Sequence, residues 1–333
     1  MLKRLLAATF LLTPQLAFAN DTMAELKTGG LDYVQSEYVS MAEEQLFISK
    51  EEIRVDYVFA NDSDEAVTSI VAFPMPDIVG SPYGMFAIND MESDNFLGFS
   101  VTQDGAAITP TLQQRVIATG IDVTEEVTGR GIPLLPYSVA TSEALAELPD
   151  DVKADWASRG LIFIDRYEDE GKTTEHLIPL WTLRSVYWWK TRFPANSEVR
   201  VQHRYTPSVG GTVALTYLED GKPQGERYDE YVKRYCIDEN MVKIAQKSEA
   251  AMQAGKPPLY VENWISYVLS TGANWKGPIK RFKLIVDKGD AANVVSFCGT
   301  DVKKTGPTTF EMVAEDFVPE QDLDILLLLP LES

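Results

Sequence analysis

"EEIRVDYVFANDSDEAVTSIVAFPMPDI", residues 51–78, decides the class of fold. Ile53, Val55, Tyr57 and Phe59 alternate with Glu52, Arg54, Asp56 and Val58, the period of two expected of a half-buried strand. "NDSD" (61–64) supplies turn chemistry, and "AVTSIVAF" (66–73) returns as a second strand. The two are expected to pair antiparallel. Proline cannot donate to a sheet ladder, so Pro74 and Pro76 are expected to end pairing after Phe73 in an extended exit. Phe73 and Met75 then fall on one side, where they can pack together.

The same texture continues outward. "FLGFSVTQDGAAITP" (96–110) reads as a hairpin turning at Asp104-Gly105. Between 120 and 160 helices take over. Asp122 with Glu125 suggests a capping box, "TSEALAEL" (141–148) a second helix, and "PDDVKADWASRG" (149–160) a third, capped by Asp150 and stopped by Gly160. Strands resume at "LIFIDRY" (161–167), "WTLRSVYWWKTRFP" (181–194) and "SEVRVQHRY" (197–205), the last two turning at Pro194-Ala195-Asn196. An amphipathic helix is expected near 239–254, with Met241, Ile244, Ala245 and Met252 on one face. Strand candidates occupy the remainder. The expectation is a mainly β (α+β) chain: a sandwich-like antiparallel domain over 20–119, a helical bridge over 120–160, and a β-rich domain over 161–333.

The first residues carry an address. Lys3 and Arg4 precede an apolar run, Leu5–Leu12, and Ala17-Phe18-Ala19 is a small-x-small cleavage pattern. This is a secretory signal peptide over 1–19, cleaved after Ala19, and it predicts a periplasmic protein. No later apolar segment is long enough to span a bilayer. The net charge is −20, and losing Lys3 and Arg4 with the leader makes it two units more negative. Such a chain is repelled by nucleic acid and by anionic membrane surfaces. The two cysteines, Cys236 and Cys298, are expected to form a disulfide in an oxidising compartment, closing a loop of about 60 residues.

Three stretches carry a resemblance in order: "LFISKEEIRVDYVFAND…VTSIVAFPMPDI" (46–78), "VQHRYTPSVGG" (201–211) and "TGANWKGPIKRFKLIVDKGD" (271–290). Together they resemble the bacterial family known as domain of unknown function 4424. The resemblance implies an exported bacterial protein and carries no catalytic residues with it.

Candidate chemistry is sparse. The histidines, His176 and His203, show no zinc-ligand spacing, and no nucleophile elbow accompanies them. His203, between Val201 and Tyr205, reads either as a hydrogen-bonded sheet residue or as a polar centre near Arg204, Tyr205 and Ser208. Asp90, Glu92 and Asp94 alternate as at the start of a Ca²⁺ loop, but Asn95 and Val101 replace the required glycine and glutamate, so a solvated acidic loop is the simpler reading. Trp188, Trp189 and Trp275 read as core or as aromatic faces for a sugar or partner; neighbours 188 and 189 must point to opposite sides of a strand. No cofactor is expected. The leading expectation is a non-catalytic binding or accessory protein of the envelope, its partner a protein or a glycan. One alternative is an envelope glycan or peptide hydrolase using acids and His203. Another is a structural subunit of an envelope assembly.

Overall fold

The computed structural model describes residues 20–27, 30–83, 86–88, 90–169 and 172–331. The alternation at 53–61 is realised: Ile53, Val55, Tyr57 and Phe59 are buried on one face of the Ile53–Asn61 strand. The turn that follows does not fold the chain back onto that strand. Ile53–Asn61 lies in an eight-stranded sheet, whereas Val67–Pro74 lies in a seven-stranded one. Residues 62–66 therefore arch between two facing sheets, which corrects the expected antiparallel pair. The same holds at Pro194-Ala195-Asn196, which joins Thr182–Phe193 in the seven-stranded sheet to Ser197–Tyr205 in the eight-stranded one.

The two arches are clamped together by Asn61. Its buried amide Nδ2 donates to the carbonyls of Glu65 (2.9 Å), Phe193 (3.1 Å) and Pro194 (3.1 Å), and its Oδ1 accepts from Ser63 N (3.1 Å). Asn61→Ala strands these carbonyls beside an apolar core. It is expected to cost about 2 kcal/mol in urea unfolding, with secondary structure unchanged.

The eight-stranded sheet runs Lys303–Lys304, Thr309–Phe317, Ile279–Asp287, Val39–Ile48, Ile53–Asn61, Ser197–Tyr205, Ser100–Gln103, Ala106–Ile108. The seven-stranded sheet runs Ile121–Asp122, Thr111–Ala118, Thr182–Phe193, Val67–Pro74, Thr22–Lys27, Gly30–Val34, with Ile78–Val79 also on Thr182–Phe193. Both sheets combine strands from 20–119 with strands from 161–333. The two stretches share sheets and one core. Ile279–Asp287 even pairs parallel to Val39–Ile48, which requires the long connection between them.

The hairpin at 100–108 forms as expected, with Asp104 and Gly105 both at positive φ. Helices Thr124–Thr128, Val139–Ala146 and Asp150–Ser158 occupy the expected bridge. With the ribbon Ile162–Asp169/Lys172–Pro179 they bury a separate cluster around Trp156 and Trp181. Asp122 does not cap the first helix: its carboxylate accepts from Thr124 N and Oγ1, and the N-cap is Val123. Asp150 is the first helical residue after a Pro149 N-cap.

A five-stranded sheet, Val294–Phe297, Leu323–Pro330, Tyr260–Tyr267, Val209–Thr212, Phe86–Ala87, packs on helices Glu226–Tyr235 and Glu239–Gln253. Asp238 caps the second helix by accepting from Met241 N. The first was not expected from sequence. Cys236, left-handed at its C-cap, forms the expected disulfide with Cys298, just beyond Val294–Phe297. The fold is thus a β-rich α+β architecture with mixed sheets.

Candidate functional site

Two places gather the chemistry. The first is sealed. The Ser197–Tyr205 strand points Val199, Val201, His203 and Tyr205 inward. His203 Nε2 lies 3.1 Å from Asp21 Oδ1, and both side chains are fully buried. Phe73, Phe99, Trp189 and Tyr57 ring the imidazole at 4.7, 5.2, 5.4 and 5.4 Å between centroids. Burial pushes the Asp21 carboxyl up, and His203 beside it pulls the other way. The centre extends through Asn20, whose Nδ2 donates to Glu44, and Tyr57, whose hydroxyl donates to Asn20 Oδ1. Trp275 Nε1 donates to Asp21 O at 2.8 Å. His203 is therefore a sealed core residue, Nε2 on Asp21 and Nδ1 buried without a hydrogen-bond partner, and a hydrolase built on it lacks solvent access.

Of the other nominated residues, Trp189 packs on the imidazole and Trp275 bonds Asp21 O, while the exposed ones lie away from it. Trp189, Trp275 and Tyr205 are core side chains. Trp188 is half-buried on the outer face of the seven-stranded sheet, and Arg204 is exposed on the eight-stranded sheet, bonded to Glu52 at 3.2 Å. Those faces lie on opposite sides of the sandwich. His176 is exposed on the ribbon. Asp90, Glu92 and Asp94 are exposed, with Asp90 accepting from Glu92 N. Among the described residues no group of acids, histidines or cysteines is placed to hold a metal.

The second place is open, and "FPMPD" builds it. The chain does not leave the sheet at Pro74. Met75 N donates to Ser185 O at 2.8 Å, and Ile78–Val79 rejoins the Thr182–Phe193 strand. Pro76 and Asp77 bulge outward between these contacts. An interruption within one strand pairing replaces the expected exit, because only the two prolines lack donors. Asp77 lines a cavity of about 210 Å³ with Tyr33, Met75, Gln113, Arg115 and Arg184. It also lines a second, of about 350 Å³, with Arg234, Trp264, Ser266 and Asp324.

The first cavity is electrostatically balanced. Arg115 and Arg184 stand directly opposite each other on paired strands, an unfavourable pairing of like charges. Each has its own carboxylate: Arg184 Nε reaches Asp77 Oδ2 and Arg115 Nη1 reaches Asp122 Oδ2, both at 3.2 Å. Burial raises the Asp77 carboxyl, and Arg184 lowers it. Burial also raises the Tyr33 phenol. In the second cavity, Arg234 Nε binds Asp324 Oδ2 at 2.9 Å. Gly210 is required there: a Cβ would lie 2.0 Å from the indole Nε1 of Trp264. "SVGG" thus seats the tryptophan that faces the cavity. Sequence reasoning missed Tyr33, Arg115, Arg184 and Trp264, and named Asp77 only as part of a strand end. The signal was available only in the paired arginines' strand register.

The comparisons come down to one family. No curated protein sequence matches the chain. A solved structure from Legionella pneumophila, whose description proposes nutrient binding, is similar at 15% identity and TM-score 0.42. That match covers 93% of this chain and 70% of the other. The family model described as domain of unknown function (DUF4424) matches residues 19–326, nearly the whole chain, and the chain belongs to that family.

Proposed function

We propose that this is an exported, periplasmic binding protein of the bacterial envelope, without catalysis, whose ligand is an envelope glycan. The observation that carries the reading is the pair of cavities on either side of Asp77. Planar polar side chains, Asp77, Arg184, Arg115 and Gln113, surround the first beside the Tyr33 ring. The second offers the Trp264 ring with Ser266, Arg234 and Asp324. Hydroxyl-rich rings are held by this combination: bidentate charged acceptors and donors at their edges, and an aromatic surface for their apolar faces. The first cavity is on the scale of one sugar ring. Its floor is a sheet, so the groups are pre-positioned and little ordering is needed on binding.

Arg184→Ala removes one bidentate donor and leaves Asp77 without its counter-charge. Affinity for soluble envelope glycan fragments is expected to fall at least about tenfold, read by calorimetry, with the disulfide and secondary structure unchanged. An array of envelope glycans that shows no binding, together with periplasmic crosslinking that captures a protein at this face, would replace the glycan with a protein partner.

A further inference from the structure

Asn20 is one of the most deeply placed residues in the molecule. Asn20, Asp21 and Thr22 are all fully buried. The Asn20 backbone nitrogen donates to Thr271 Oγ1 at 2.8 Å, and the Thr271 hydroxyl donates back to Asn20 O at 2.8 Å. The Asn20 side chain reaches Glu44 Oε2 at 3.2 Å, and its Oδ1 accepts from Asp21 N at 2.9 Å. Thr22 Oγ1 accepts from Asn274 at 3.0 Å. Chain ends ordinarily fray at the surface, and this segment is instead threaded into the core.

The charges around it do not balance. Glu44 and Asp21 are both buried carboxyls. Asp21 has His203 on one oxygen, while Oδ2 is buried without a hydrogen-bond partner. Glu44 has the neutral Asn20 amide, and among the described residues no lysine or arginine forms an ion pair with either acid. Tyr57 and Tyr267, bonded to each other at 3.2 Å, are the phenols on the remaining sides. A buried carboxylate in such a place calls for a cation.

The sequence supplies one at this position. Hydrolysis of the Ala19–Asn20 bond adds water: the leader keeps a carboxylate at Ala19, and the Asn20 nitrogen leaves as an α-ammonium. We propose that this cleavage completes the core, the freed α-ammonium of Asn20 remaining buried beside Thr271 as the counter-ion of Glu44 and Asp21. Thr271 Oγ1 already accepts one of its protons, which leaves two for carboxylate oxygens. The family match begins at residue 19, one residue before this nitrogen. The inference rests on the export reading in one respect, that a leader is removed.

Glu44 makes the proposal testable by pH. With Asn20 nitrogen as an amide, burial pushes the Glu44 carboxyl up to about 8. Asp21, Tyr57, Tyr267 and, through Asp21, His203 face it, and none of these is a cation paired with it. A native carboxyl that holds its proton longer than the unfolded one makes stability fall as pH rises between the ordinary glutamate value and about 8. An adjacent ammonium favours the carboxylate and removes that fall.

The experiment compares the protein secreted with its own leader against one carrying Gly-Ser inserted between Ala19 and Asn20, both purified from the periplasm. The expected masses begin at Asn20 and at the inserted Gly. At pH 8 the extended protein is expected to show a folding equilibrium constant roughly a hundredfold lower, recovering toward pH 5, and Glu44→Gln is expected to close the gap. An amine-selective reagent should label surface lysines of the native mature protein while sparing the Asn20 α-amine, a readout that survives even if the extended protein fails to fold. Equal stabilities at both pH values, or an α-amine labelled as fast as an exposed one, would overturn the proposal. A mature chain starting elsewhere would overturn it while leaving export intact, whereas a retained leader would overturn the export reading itself.

Discussion

His203→Ala is expected to lower folding stability by about 3–5 kcal/mol while leaving glycan binding by the folded fraction unchanged. The imidazole is the partner of a fully buried carboxylate, and the substitution leaves Asp21 with neither oxygen satisfied by a side chain. It also opens a hole between Phe73, Phe99 and Trp189, which the close-packed sandwich cannot fill without moving both sheets. The pH dependence has a definite sign. Burial raises Asp21 and His203 lowers it. Without His203 that lowering influence is lost, so the native state holds the Asp21 proton to higher pH. Stability of the variant should then fall more steeply as pH rises above the ordinary carboxylate range. Urea unfolding between pH 4 and pH 8 reads both effects. A His203→Ala protein as stable as the parent would contradict a structural role.

Loss of the Cys236–Cys298 bridge is expected to cost about 4 kcal/mol, since it closes a sequence separation of 62 residues in the unfolded chain. The bond joins the end of helix Glu226–Tyr235 to edge strand Val294–Phe297, which contributes only four residues to its sheet. Ser296 Oγ donates to Tyr235 O at 2.9 Å, so one local contact survives reduction. The cost should therefore appear chiefly as earlier opening of the helical layer around Tyr217, Tyr231 and Met241. Hydrogen exchange of Cys236→Ser/Cys298→Ser against the parent would localise it. Equal midpoints for oxidised and reduced protein, or two freely alkylating thiols in the untreated protein, would show the bridge to be absent.

The local rules were legible in the sequence, and the pairings were not. Period two at Ile53–Phe59, the Asp104-Gly105 turn and the face of helix Glu239–Gln253 depend on neighbours in the chain, and all three formed. "NDSD" and "PAN" were read as hairpin turns because an arch between sheets uses the same turn residues. Their partner is chosen by contacts more than a hundred residues away, such as Asn61 to Phe193. Helix Glu226–Tyr235 hid behind charged residues, although Tyr228, Tyr231 and Tyr235 recur at helical spacing and pack inward. The cavities were least visible. Arg115 and Arg184 meet only through the register of Thr111–Ala118 on Thr182–Phe193, and Tyr33 arrives from a third strand. Nothing in the sequence around Asn20 and Asp21 marks them as interior, and the fold makes them the centre of its polar core.

Two tasks are separated in this reading: the buried His203 centre holds the sandwich, and the open cavity at Asp77 and Arg184 is the proposed ligand site. One calorimetric titration tests it, with soluble disaccharide fragments of the envelope glycan added to the parent, Arg184→Ala and His203→Gln, all confirmed folded. Heat of binding is expected for the parent and His203→Gln, with affinity at least about tenfold weaker for Arg184→Ala. Binding lost in His203→Gln and retained in Arg184→Ala would contradict it.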